Sequence, residues 1–310
     1  MLRRTISLTT FIAAATLLAA CGGSGASQDA AETVTLTDDM GREVTLPARV
    51  ERIVSLAPSV TESLYAIGAG DLVVGRTSYD NYPPEVLNVP EVGGFAIEEV
   101  NVETIVSLEP DVVMGGSNLQ EPLSEAFEAV DVPFYVFNPE SLDEVYQTLD
   151  TMGQMTGHEE GAQATIDDMQ VRIEAVQEII ADVPNDERPA VFYEVWDEPL
   201  MTAGPGTFVG EMIVLAGGVD IFAEMSEPYA QVSAETVIER QPDVILGPVT
   251  HSDALSTESI EARPGWDTIP AVQNGAVYLL DDDVVSRAGP RMADAVELIA
   301  AKLYPDRFGE

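Results

Sequence analysis

Short apolar runs alternate with longer one-sided stretches along most of the chain, the pattern of strands alternating with helices. The segment VTLTDDMGREVTLP, Val34 to Pro47, alternates apolar and polar residues around Asp-Met-Gly and predicts a β-hairpin. Five compact apolar runs predict buried strands: Arg52–Leu56, Asp71–Gly75, Pro133–Phe137, Ala190–Trp196 and Ala276–Leu280. A helix is expected after Pro58, capped by Ser59 or Thr61 and stopped at Gly68. Further helices are expected near Pro122–Val130, over Leu142–Met155, over Phe208–Leu215, toward Trp266 and over Pro290–Leu303. Gly68-Ala69-Gly70 follows a helix rather than a strand, so these glycines are a helix stop and not a dinucleotide fingerprint.

One unit occurs twice. Val100–Gly115 reads VNVETIVSLEPDVVMG and Val232–Gly247 reads VSAETVIERQPDVILG, with seven of sixteen positions identical at an offset of 132 residues. Asn101 or Ser233 can cap a helix, the Pro-Asp pair stops it, and VVMG or VILG follows as a buried strand. The offset is too long for a solenoid and predicts two similar lobes. Midway between the copies, from Glu160 to Ala181, apolar residues fall at Ala162, Ile166, Met169, Ile173, Val176 and Ile180. That one-faced spacing predicts a helix of about 33 Å, a strut between the lobes. The expected layout is α/β: a first lobe over 34–157, the strut over 158–183 and a second lobe over 184–310, with largely parallel sheets.

The opening residues change the picture of where the chain works. Two arginines, an apolar stretch from Phe11 to Ala20 and then the sole cysteine, Cys21, fit an export signal too short to span a bilayer. Leu18-Ala19-Ala20-Cys21 resembles the lipobox of bacterial lipoproteins, which implies removal of residues 1–20 and acylation of Cys21; an ordinary secretory signal is the plainer alternative. Residues 21–33 then form a flexible tether to an extracytoplasmic membrane surface. Without the signal the chain keeps 12 basic and 54 acidic residues, a net charge of −42, with Lys302 the one lysine. Such a field repels nucleic acid and anionic lipid. It suits either a salt-loving habitat or simply an acidic exported protein.

No nucleophile elbow or phosphate-binding Gly-Lys-Ser/Thr occurs in the folded part. His158 and His251 lie 93 residues apart, without the partners a transition-metal site needs, and His158 is expected as an exposed residue at the start of the strut. No metal site and no enzymatic activity are expected. Aromatic residues instead gather in loops: Tyr79, Tyr82, Phe95, Trp196 and Tyr229 follow strands or precede the repeated helices, where cleft-facing loops of α/β sheets lie. They predict a ligand wall for a large, flat, partly apolar molecule, with Asp283, Arg287 and Arg291 as candidate polar contacts. For Arg287, a surface ion pair with a nearby aspartate is the alternative.

RIVSLAPSVTE, VVGRTSYDNYPPE, VGGF, the unit ending in PDVVMG, and QVSAETVIERQPDVIL resemble, in order and over nearly all of the chain from Val34, the substrate-binding proteins of ABC importers. The similar group takes up cobalamin, iron–siderophores or haem. The resemblance implies two Rossmann-like lobes joined by a single long backbone helix, and a monomer that delivers cargo to an ABC permease dimer with its ATPase subunits. It is strongest to cobalamin-binding members, which implies a transported corrinoid and no cofactor. Tyr79, Phe95, Trp196, Tyr229, Asp283 and Arg287 match or adjoin their ligand contacts, with Phe95 and Tyr229 standing where tryptophan is found. Haem would want an axial ligand such as Tyr79 or Tyr229, and siderophores would favour more arginines than the chain offers. Glu103 and Glu235 share an early helix position, where a carboxylate favours the helix N-terminus. The resemblance implies instead that they dock onto arginines of the two permease subunits.

Overall fold

The computed structural model describes residues 32–249 and 256–309. The expected signal, Cys21, the tether up to residue 31 and His251 lie outside the described residues. The opening hairpin forms from β1 (Thr33–Thr37) and β2 (Glu43–Pro47), antiparallel with Thr33 opposite Pro47.

Two sheets follow. In the first, β3 (Ile53–Ser55), β4 (Val73–Gly75), β5 (Val112–Gly115) and β6 (Phe134–Val136) are all parallel, in the order β4-β3-β5-β6. The second contains β7 (Ala190–Trp196), β8 (Met201–Ala203), β9 (Val219–Asp220), β10 (Tyr229–Gln231), β11 (Val244–Val249) and β12 (Val277–Asp281). Here β9, β7, β11 and β12 are parallel neighbours in that order, and β8 and β10 add an antiparallel ribbon beyond β7. With the ribbon set aside, both sheets order their strands second, first, third, fourth. The repeated sequence supplies the third strand of each.

The repeat does more than form a helix and a strand. Asn101 Oδ1 accepts the Thr104 N–H at 3.0 Å and Ser233 Oγ accepts the Thr236 N–H at 3.1 Å, capping helices Val102–Ser107 and Ala234–Arg240. The aspartate of each Pro-Asp pair then reaches to the start of the lobe's first strand. Asp111 Oδ2 accepts the N–H groups of Glu51 (2.8 Å) and Arg52 (2.9 Å), and Asp243 Oδ2 accepts that of Ala190 (2.9 Å). Each pair therefore stops a helix and pins the first strand beside the third.

Helix Glu159–Ile179 runs for 21 residues, about 32 Å. Ala162, Ile166, Met169, Ile173 and Val176 are buried along it, and Ile180 beyond its end, which is the stripe the spacing predicts. The helix packs on Leu142–Thr156, Met292–Leu303 and Pro58–Ala66. One continuous core runs through it from Ile53 and Val112 of the first sheet to Val191, Leu246 and Val296 of the second half, and the chain from Glu32 onward forms a single compact unit. Each sheet has a further cluster on its other face, around Phe127 and Phe134 in one and Phe192 and Trp266 in the other.

Several expectations are corrected by local geometry. The Pro58–Ala66 helix has Pro58 in its first turn and Ala57 as an N-cap without a side-chain bond; Ser59 and Thr61 lie inside it. Pro122 falls in a 3-10 turn, Asn118–Leu123, leaving only Ser124–Glu128 as α-helix, because a proline ring is tolerated in such a turn better than inside a helix. His158 is half-buried rather than exposed, with its Nδ1 3.0 Å from the Thr156 carbonyl oxygen. The ribbon β8–β10 was not anticipated, since three-residue strands are too short to show a period. The last predicted helix begins at Met292, and a further turn, Pro305–Phe308, follows it.

Two contacts set how the Tyr79 loop and the long helix sit. Asp80, buried behind the loop, accepts from Thr61 Oγ1 (2.8 Å), the Thr77 N–H (3.0 Å) and Thr77 Oγ1 (3.0 Å), tying the loop to the Pro58–Ala66 helix. At Gly161 the long helix passes so close to that helix's end that an added Cβ would stand 2.0 Å from the Ile67 carbonyl oxygen. Gly161→Ala gains about 1 kcal/mol of helix propensity, yet must displace backbone, at a cost of roughly 1–3 kcal/mol. We expect net destabilisation, read as a lower urea midpoint; an unchanged or higher midpoint would contradict this close approach. Burial raises Asp80 from 3.8 to about 6, against the opposing hydrogen bonds from Thr61 and Thr77 and the charge of Arg287. The folded chain thus holds this proton more tightly than the unfolded one. Its contribution is full below pH 3.8 and is lost as pH rises through about 6, on the order of 3 kcal/mol. Wild type should lose stability relative to Asp80→Asn between pH 4 and 6.5, measured by urea denaturation; parallel pH profiles would refute this.

Candidate ligand cleft

A cleft of about 910 Å³ opens between the two halves. The first half contributes Tyr79 from the loop after β4, Phe95 from the loop before the first repeated helix, and Leu119 from the 3-10 turn. The second contributes Phe208, first residue of helix Phe208–Leu215, and Tyr229, first residue of β10. Tyr79 is 47% exposed, Tyr229 40% and Leu119 69%. Large apolar side chains left open around one concavity mark a binding surface.

Behind the cleft wall a polar cluster crosses from one half to the other; its Glu62 and Arg291 line a second pocket, so Arg291 is not among the cleft's own lining residues. Glu62, buried on the Pro58–Ala66 helix, accepts from Arg287 Nη1 at 2.6 Å and is gripped by Arg291 through Nε and Nη2, both at 2.8 Å. Arg287 also donates to Asn81 Oδ1 (3.0 Å), to the Tyr79 carbonyl oxygen (3.3 Å) and to the Asp283 carboxylate. Asn81 in turn donates to Asp283 Oδ2 at 2.6 Å, and the Arg291 guanidinium lies 4.5 Å from the Tyr82 ring centre. Arg287 and Asp283 line the cleft, but Arg287 directs its charge into the protein, so the expected ion pair and the cleft position are both present.

Of the predicted aromatic wall, Tyr79, Phe95 and Tyr229 come together with Asp283 and Arg287. Trp196 does not join them. It ends β7 opposite Met201, 52% exposed, with its Nε1–H donated to the Glu198 carbonyl oxygen at 3.0 Å, so it sits at the turn from β7 into the ribbon instead. Tyr82 lies beyond the Glu62–Arg291 pair, in a second interlobe pocket of about 700 Å³ shared with Tyr65 and Arg172. Sequence reasoning missed Phe208, Leu119 and Glu140. A large apolar residue in the polar stretch Ser117–Glu121, and another just after the Gly/Pro turn, were the signals available for the first two.

Glu140 stands on the cleft wall with Oε1 accepting from Asn138 (3.2 Å) and Oε2 buried without a partner among the described residues. Burial, and then the Glu140 charge, push the Tyr229 phenol up to about 12. Among the described residues no group of His, Cys, Asp and Glu converges to hold a metal ion. Outside the cleft, Glu103 and Glu235 are exposed in the first turns of the two repeated helices.

Comparison with known proteins agrees with this architecture. The family described as periplasmic binding protein matches residues 53–284. The chain is 33% identical over 309 residues to the uncharacterized ABC transporter substrate-binding lipoprotein YvrC of Bacillus subtilis, covering 96% of each. The crystal structure of the periplasmic vitamin B12 binding protein BtuF of Vibrio cholerae superposes with a TM-score of 0.69 at 30% identity, covering 84% of this chain and 98% of that one. The periplasmic heme-binding protein RhuT of Roseiflexus sp. RS-1 gives a TM-score of 0.72 at 28% identity, over 82% and 98%. Two α/β lobes with matching strand order, one long helix between them and a family match across both lobes show that the chain belongs to the periplasmic binding protein family, as a substrate-binding protein of an ABC transporter.

Proposed function

We propose that this protein captures cobalamin or a related corrinoid in the interlobe cleft, outside the cytoplasm, and hands it to an ABC permease whose ATPase subunits drive release. The observation that carries the reading is an open cleft walled by Tyr79 and Phe95 on one side and Tyr229 and Phe208 on the other. Aromatic faces on two sides suit a broad, partly apolar macrocycle. The likeness to a vitamin B12 binding protein supports the same ligand. In this reading residues 1–20 are a signal, Cys21 carries the lipid, residues 34–157 and 184–310 are the lobes, and 158–183 the backbone helix. The name of the Bacillus relative supports the lipid anchor.

Haem is the second reading, favoured by the likeness to RhuT and by Tyr79 and Tyr229 in the cleft. Against Tyr229 as the axial ligand, burial and the Glu140 charge push its phenol up to about 12, which favours the neutral form. An iron–siderophore is a third candidate, for which a cleft with Arg287 as its one basic residue among those described is ill suited.

Glu103 and Glu235 complete the proposal. They occupy equivalent exposed positions on the two lobes, and a permease of two subunits offers two equivalent contacts.

Purified protein should retain cyanocobalamin in equilibrium dialysis, and Tyr79→Ala should weaken binding about tenfold, about 1.4 kcal/mol. Retention of haem or a ferric siderophore but not corrinoid would overturn the ligand, and unchanged affinity would remove Tyr79 from the site. Changing Glu103 and Glu235 together to alanine should abolish uptake in cells while leaving ligand affinity intact; full uptake would return both glutamates to a role at their helix N-termini.

A further inference from the structure

Resting on the reading of the interlobe cleft as the ligand site, we infer that this cleft selects its cargo by charge and donor pattern: it takes a neutral or cationic molecule bearing carboxamides and turns away anionic ones. The charged residues described on its wall are Glu99, Glu140, Asp282, Asp283 and Arg287. Arg287, the basic residue of that wall, is taken up by Asp283 and by Glu62, which lies behind the wall paired also with Arg291, so these four charges cancel. Glu99, Glu140 and Asp282 remain as an uncompensated negative lining. A site built for carboxylates, catecholates or other anions needs the reverse, guanidinium or ammonium groups turned toward the ligand. The overall charge of the chain, −40 with the signal included, adds its field to the same sign.

The hydrogen-bonding groups on the wall narrow the class further. Glu140 Oε2 is a buried acceptor with no donor among the described residues; burial, and the Glu144 charge, hold its carboxyl above the usual carboxylate range, so its ionised form, which can only accept, calls for a donor. The Pro58–Ala66 helix also reaches the cleft through Pro58 and Ser59 with no side-chain cap; Pro58 has no N–H and the Thr61 N–H is held by the Ala57 carbonyl oxygen, which leaves those of Ser59 and Val60 to call for an acceptor. A primary carboxamide both donates and accepts, and a ligand fringed with them can satisfy Glu140 and the helix together. A carboxylate satisfies only the helix and meets Glu140 as a like charge. The neutral Tyr229 phenol beside Glu140 adds a donor that no base in the cleft removes.

The test is equilibrium dialysis of the full chain against four probes. Aquocyanocobinamide is a cationic corrinoid with carboxamides, and cobyrinic acid carries carboxylates on the same ring. Ferrioxamine B is a cationic ferric hydroxamate, and haem carries two propionates. At 0.1 M salt, cobinamide should bind at least about tenfold more tightly than cobyrinic acid, and haem should not be retained. The gap should shrink at 1 M salt, where screening shortens from about 10 Å to about 3 Å. In Glu140→Gln cobyrinic acid should gain affinity while cobinamide changes less; an unchanged ratio would overturn the assignment to Glu140. Cobyrinic acid or haem bound as tightly as cobinamide would overturn the charge rule. Retention of ferrioxamine B alone would overturn the corrinoid reading and leave the charge rule standing. Retention of none of the four would overturn the cleft as the ligand site, and the inference with it.

Discussion

The buried carboxylate of Glu62 is the contact on which the cleft depends. It belongs to a helix of the first lobe and is met by Arg287 and Arg291 of the second. A charge so enclosed is tolerable only with nearly ideal partners, and removing one partner leaves the rest uncompensated. The cluster therefore fixes the distance between the lobes at the base of the cleft. It also separates the aromatic cleft from the second pocket, where Tyr82 and Arg172 lie. The pairing is possible because the Glu159–Ile179 helix already holds both halves against one core.

The duplicated unit gives that arrangement its regularity. In both lobes a capped helix, a Pro-Asp stop and a buried strand recur, and in both the aspartate binds the beginning of the first strand. A short carboxylate just before the third strand reaches backbone N–H groups at the start of the first, two in the first lobe and one in the second. The second lobe departs from the first chiefly by its antiparallel ribbon β8–β10, which carries Tyr229 to the cleft rim.

The stripe at Ala162, Ile166, Met169, Ile173 and Val176 was legible in the sequence because a helix facing one core must repeat every three or four residues. Apart from the two-residue β9, the parallel strands were legible because doubly covered strands are short apolar runs. The caps at Asn101 and Ser233 were legible because capping is local. The ribbon was not, nor the 3-10 turn at Pro122, since neither leaves a period to detect.

For the cleft the division is sharper. By itself the sequence determined two α/β lobes, the strut between them and a set of loop aromatics, because backbone hydrogen bonding and burial periodicity act over a few residues. Tertiary structure decided which of those aromatics share one cavity: Tyr79, Phe95 and Tyr229 do, while Trp196 stays at the turn from β7 into the ribbon and Tyr82 lines the second pocket with Glu62. It also decided that Arg287 faces Glu62 across more than two hundred residues of chain, which turns an apparent ligand contact into a tie between lobes. Such pairings depend on where whole elements come to rest, and no local pattern of residues records that.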